Sequence, residues 1–171
     1  KFKTPIYAVI TDFHAHPIWL TKNVKTFFVA SEDVQKELAK KGMNSIVSGI
    51  PIHPKFFQKK DADELRKKLG FENSLPVALF MPTAKGKVRV NEAIEKLIGK
   101  MNIIAITGKN SRKLFSRLAE IKEKTRQRFI LYKFTENIDE LMTAADVIIT
   151  KAGGLTVSEA LCAQKPFVAI N

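Results

Sequence analysis

The chain has 171 residues, 45% of them apolar, a formal net charge of +12 and a single cysteine, Cys162. This composition is globular and can support one sizeable core, which excludes a disordered or fibrous chain; one cysteine excludes an internal disulfide and fits a reducing compartment. No run approaches the roughly 20 apolar residues of a membrane-spanning helix, no charged-then-apolar leader is present, and the positive field draws anions without choosing among phosphorylated small molecules, acidic lipid head groups and nucleic acid.

The first apolar run, PIYAVI (5–10), reads as a strand and enters a loop rich in histidine, proline and aromatic residues. KTFFVA (25–30) is a second strand; a helix follows from Ser31 to about Lys41, closed by Gly42, and a short strand lies near Ile46 to Ser48. GIPIHPKFF (49–57) disfavours helix through Pro51 and Pro54 and reads as a linker between two lobes, with His53 structural. A helix from Asp61 to Leu69 has a D-x-x-E start and Gly70 at its end. Because the chain opens on Lys1 and finishes inside the strand-like run PFVAIN (166–171), both ends are expected to be cut from something longer.

From residue 77 the pattern alternates between short strands, apolar throughout, and helices apolar on one face. The strands are VALFM (77–81), NIIAI (102–106), RFILY (128–132), DVIIT (146–150) and FVAI (167–170), each expected to be buried on both faces of a parallel sheet. Asn91 and Ser111 are expected helix caps, and Ile138, Leu141 and Met142 mark a third helix, so the fold class is α/β.

TKAGGLTVSEA (150–160) places a glycine pair between DVIIT and an apparent helix beginning near Thr156. A helix start carries unpartnered N–H groups and partial positive charge, and glycine lets an anion approach the backbone, so Gly153 and Gly154 can seat a phosphate. The plain alternative is a tight turn in which Thr156 and Glu159 form a capping box.

Together the segments VITDFHAHPIW (9–19), SGIPIHPKF (48–56), ITGKN (106–110) and ITKAGGLTVSEAL (149–161) resemble the processive and plant-type diacylglycerol glycosyltransferases, which attach glucose or galactose from a UDP-sugar to diacylglycerol. More weakly, the chain is similar to the bacterial enzyme that adds N-acetylglucosamine to the lipid-linked peptidoglycan precursor. The resemblance implies a GT-B fold of two Rossmann-like lobes facing each other across a cleft, with residues 1–50 ending the acceptor lobe, 51–57 linking, and 58–171 forming a truncated UDP-sugar lobe. It further implies that Gly153, Gly154, Leu155 and Thr156 offer donors to a diphosphate, that Glu159 accepts from the ribose diol, and that Gly108 and Phe134 lie by the uracil, although Phe134 reads equally well as a core aromatic. Where the family has a glycine-rich loop, this chain has MPTAKGKVRV (81–90), keeping only Gly86; Lys85, Lys87 and Arg89 could contact phosphate by charge, or the loop could have lost that role.

Transfer to a hydroxyl needs a proton acceptor, for which Asp12, His14 and His16 are the candidates on the loop after the first strand, with His16 preferred as base or acceptor contact. Packing of His16 beside Trp19 is the plain alternative, and the spacing of Asp12, His14 and His16 is not that of a zinc site. The scheme uses a UDP-sugar as donor substrate and needs neither cofactor nor metal, because helix N-termini and basic side chains can take up the charge of departing UDP. Basic runs at Lys40-Lys41, Lys59-Lys60 and Arg66-Lys67-Lys68 suit an anionic membrane, so the expected enzyme is cytoplasmic and peripheral at the inner face, with a diacylglycerol-type acceptor and no nucleic-acid motif. A UDP-sugar epimerase and a non-catalytic nucleotide-sugar or membrane-binding module are the alternatives.

Overall fold

The computed structural model describes residues 4–71, 74–82 and 90–170. Two units can be distinguished, Lys1–His53 with Gly153–Ser158, and Pro54–Ala152 with Glu159–Asn171.

In the first unit, β1 (Ile6–Val9), β2 (Val24–Val29) and β3 (Ser45–Val47) form a parallel sheet in the order β1-β2-β3, with α1 (Glu32–Ala39) between the last two in sequence. β2 is central, so Phe27 and Val29 are buried, and they pack with Ile10, Ala15, Val34 and Leu38. Val34 and Leu38 are four residues apart and therefore share one face of α1. Gly42, with φ +68°, takes the left-handed conformation after the helix, and its N–H donates to Ala39 O at 2.9 Å.

The second unit contains α2 (Ala62–Lys68), β4 (Val77–Met81), α3 (Val90–Leu97), β5 (Asn102–Ile106), α4 (Arg112–Lys124), β6 (Phe129–Tyr132), α5 (Ile138–Ala144), β7 (Val147–Thr150) and β8 (Phe167–Ala169); α6 (Gly154–Cys162) lies between β7 and β8 in sequence. The five strands are parallel, in the order β6-β5-β4-β7-β8. The Rossmann-like α/β class expected from the sequence is thus the one observed. β4 and β5 are the apolar strands proper: Ala78, Phe80, Ile103 and Ala105 join Ile94 of α3 and Leu118 of α4 in one core. β8 departs from expectation, with Val168 49% exposed, so this edge strand is not covered on both faces.

Several expected helix ends differ in detail. Asp61 does cap α2, accepting from the N–H groups of Asp63 at 2.8 Å and Glu64 at 3.0 Å. Asn91 lies inside α3, and Ser111 occupies the cap position of α4 without a side-chain cap bond.

The strand order positions the site. From β4 the chain winds outward to β5 and β6, then returns through α5 to β7 on the other flank of β4. The winding therefore reverses between β4 and β7, and the carboxyl ends of the strands at such a reversal are where open α/β sheets take ligands. After β7 comes Lys151–Gly153. After β4 comes Pro82, and residues 83–89, including the candidates Lys85 and Gly86, lie outside the described residues.

Candidate functional site

α6 starts at Gly154, two residues before the expected start, and its first bond runs from Val157 N–H to Gly153 O at 2.9 Å. Gly153 is therefore the cap and Thr156 already the third helical residue, which removes the Thr156–Glu159 capping box. The two glycines have different physical reasons. A Cβ on Gly154 would stand 2.1 Å from Thr11 O and 3.0 Å from Asp12 Cα, so only glycine lets the helix start lie against that backbone. A Cβ on Gly153 would meet nothing within 4 Å.

The helix-start amides are not equivalent either. The Gly154 N–H donates to Asp12 Oδ1 at 3.3 Å, so the donor expected to hold phosphate has a carboxylate partner. Among the described residues, the N–H groups of Leu155 and Thr156 have no acceptor, and the Leu155 side chain is 46% exposed. These two amides are the open donors at the positive end of α6. Thr150, at the end of β7, donates its hydroxyl to Met81 O at 3.2 Å and fixes the neighbouring carboxyl ends of β7 and β4.

Glu159 is half-buried, and burial pushes its carboxyl above the ordinary glutamate value, opposed by the positive charge of Lys55. Cys162 is likewise half-buried, its thiol donating to Phe56 O at 3.7 Å. Gly108 sits beyond β5 with φ +86°, and Phe134 beyond β6 is 52% exposed, which overturns its core reading. The Lys109 ammonium lies 4.1 Å from the Phe134 ring centroid. Beside them the Thr107 hydroxyl is buried with no partner among the described residues.

The two histidines of the loop after β1 have different hydrogen-bond roles. His16 Nδ1 accepts from Ile18 N–H at 3.3 Å, capping the short 3-10 helix Pro17–Trp19, and its ring packs 5.7 Å from that of Trp19. In a neutral ring this leaves the proton on Nε2, so His16 offers a donor rather than a base. His14 Nδ1 lies 2.8 Å from Glu37 Oε1, and the other Glu37 oxygen accepts from Ala15 N–H at 3.3 Å. With Nδ1–H given to Glu37, the basic lone pair of His14 is on exposed Nε2. The Ala15 N–H bond, followed by His14, holds the Glu37 carboxyl below its ordinary range. Nothing in the local sequence marks Glu37, which stands on an amphipathic helix more than twenty positions away. Among the described residues, no group of three His, Cys, Asp or Glu side chains could hold a metal ion, and no helix is long and apolar enough to cross a membrane.

The basic runs are partly spent within the fold. Lys60 and Lys55 each lie 3.1 Å from Asp139, Arg66 is 2.8 Å from Asp146, and Lys68 is 3.3 Å from Glu140.

Comparison with known proteins agrees with this architecture. Residues 84–171 match the glycosyltransferase family 28 C-terminal domain, and residues 1–52 match monogalactosyldiacylglycerol (MGDG) synthase. The chain belongs to glycosyltransferase family 28. It is 32% identical over 170 residues to the processive diacylglycerol beta-glucosyltransferase of Bacillus pumilus and 31% identical to that of Bacillus subtilis, each alignment covering 96% of this chain and 44% of the relative. The chain thus spans less than half the length of these relatives. Among solved structures, Anabaena HepE in complex with UDP-glucose superposes with a TM-score of 0.60 at 18% identity, covering 96% of this chain and 53% of that one. Acinetobacter baumannii MurG gives 0.57 at 17% identity, covering 98% and 46%. These likenesses carry the fold, which is of the GT-B type.

Proposed function

We propose that the chain is part of a UDP-sugar-dependent hexosyltransferase that moves a hexose to a lipid hydroxyl such as that of diacylglycerol, working peripherally at the inner face of a membrane. The relatives named as diacylglycerol glucosyltransferases support the donor and acceptor classes. The observation that carries the reading is the pair of unpartnered amides, Leu155 and Thr156, opening α6 where the sheet reverses its winding.

In this reading residues 1–50 belong to the acceptor lobe, 51–57 link, and 58–171 belong to the donor lobe. The amides of Leu155 and Thr156 take the diphosphate, while Gly154 is the packing glycine and Asp12 its partner. Glu159 accepts from the ribose hydroxyls, since one carboxylate can receive two O–H donors. Phe134 and Gly108 flank the nucleobase. As the acceptor oxygen bonds to the anomeric carbon, the bond to the diphosphate breaks and UDP leaves with the electron pair. The hydroxyl proton passes to a base, for which His14 Nε2 is free, while His16 serves as a donor to the acceptor. Donor amides aimed at the diphosphate stabilise the charge that develops there, and no metal is required.

Titration with UDP tests the nucleotide site. The protein is expected to bind UDP and Glu159→Ala to bind it about tenfold more weakly, the loss of a charge-assisted hydrogen bond. Equal and immeasurably weak binding by both would remove the reading.

A further inference from the structure

A second positively charged feature lies away from α6. A groove of about 570 Å³ runs along the outer edge of β6, the strand that ends the sheet, and Lys68, Lys122, Arg126 and Arg128 line it with no aspartate or glutamate among the lining residues. Of the runs singled out from the sequence, Lys60, Arg66 and Lys68 are matched by carboxylates within the fold, while Lys40, Lys41, Lys59 and Lys67 form no ion pair among the described residues. Lys122, Arg126 and Arg128 have no ion-pair partner among the described residues, so no bound carboxylate neutralises them directly.

One member of the set is already held in place. Arg128 Nε donates to Leu69 O at 3.1 Å, and its guanidinium lies 3.2 Å from where a Cβ on Gly70 would stand. Gly70, at φ +77°, lets the planar group lie against the chain. A guanidinium fixed in this way, beside two unpaired cations on the last turn and exit of α4, fits the phosphodiester of a lipid head group, which accepts two parallel N–H donors.

We propose that the β6-edge groove is a docking surface for an anionic lipid bilayer, holding phosphodiester head groups on Lys122, Arg126 and Arg128. The inference rests on the lipid-acceptor reading, which places the working protein at a membrane, and it locates a membrane contact at the β6 edge rather than on the basic runs. Attachment here is electrostatic and peripheral.

The experiment is co-sedimentation of the protein with vesicles of phosphatidylcholine, alone and mixed with phosphatidylglycerol. Binding is expected only to the mixed vesicles, and the Lys122→Gln, Arg126→Gln double variant is expected to lose about thirtyfold in partition, from two cations near an acidic leaflet. Arg128 is left intact because it also ties down Leu69. A Lys40→Gln, Lys41→Gln variant removes the same charge from the turn after α1 and is expected to bind as the parent does. Equal loss in the two variants would show a net-charge effect and overturn the groove. So would full competition by soluble glycerol 3-phosphate, which would mark a small-anion site, or by an acidic peptide bound along β6. UDP titration of the same variants separates the two readings: UDP binding with unchanged vesicle partition sinks the groove alone, whereas absent UDP binding in the parent sinks the nucleotide site alone.

Discussion

The carboxylate of Asp12 accepts the N–H of Gly154 at 3.3 Å, across 142 positions of sequence, and the same glycine would drive a Cβ to 2.1 Å from Thr11 O. An aspartate at a helix start complements the dipole as an anionic ligand would. The consequence is a division of labour within one short motif. Gly154 and Asp12 hold the helix start against the loop after β1, and the next two amides remain available.

That division is measurable by substitution. Gly154→Ala is expected to lose about 2–3 kcal/mol in urea unfolding, since the atom in the way is backbone and cannot swing aside. Gly153→Ala, with open space at its Cβ, is expected to stay within about 0.5 kcal/mol of the parent. Equal stability of the two variants would contradict the packing role of Gly154.

What the sequence disclosed and what it hid follow from the range of each interaction. β4 and β5 were legible because VALFM and the IIAI of β5 are unbroken apolar runs, the pattern of a strand covered on both faces. The glycine pair was legible as a strand-to-helix turn, but the start of α6 was not, because a threonine followed three residues on by glutamate imitates a cap while the true start is set by the contact with Thr11. Phe134 could be assigned to core or surface from its neighbours alone, and the structure leaves it exposed under Lys109. Part of the basic runs was hidden for the same reason: Lys60 and Arg66 look solvated until Asp139 of α5 and Asp146, just before β7, pair with them. Pairings of that kind depend on tertiary proximity and leave no periodic trace.

The burial of Glu159 gives a pH test. Its carboxyl is pushed up by desolvation, with Lys55 opposing, so the protonated form persists to a higher pH than for an exposed glutamate. A protonated carboxyl accepts fewer hydroxyl donors, so uridine affinity is expected to fall by roughly tenfold as pH drops through this raised value. Uridine is the better probe because it lacks the phosphate groups that titrate nearby. Glu159→Gln should bind weakly and without that step. For stability the sign is opposite: the contribution of protonated Glu159 is complete below the unfolded-chain value and is lost as pH rises through the folded one. A pH-independent uridine affinity in the parent would exclude Glu159 as the diol acceptor.

Asp139 tests the anchoring of the segment that follows the linker. Its side chain is 8% exposed and lies 3.1 Å from both Lys55 and Lys60, while Lys55 also reaches Glu136 O and Lys60 reaches Lys55 O. Desolvation raises the Asp139 carboxyl, but the hydrogen bonds from Lys55 and Lys60 outweigh it and hold the group below the ordinary aspartate value. A depressed carboxylate stabilises the fold above its unfolded value, and that contribution disappears as pH falls through the folded one. Asp139→Asn should therefore cost about 2–3 kcal/mol at neutral pH, because it leaves two partly buried ammonium groups facing a neutral amide. The deficit should shrink in acid, where the parent loses the same charge. Urea unfolding of parent and variant across the acidic range checks both parts. A constant difference between them would mean that the amide disturbs packing, and that the two lysines draw little from the carboxylate they surround.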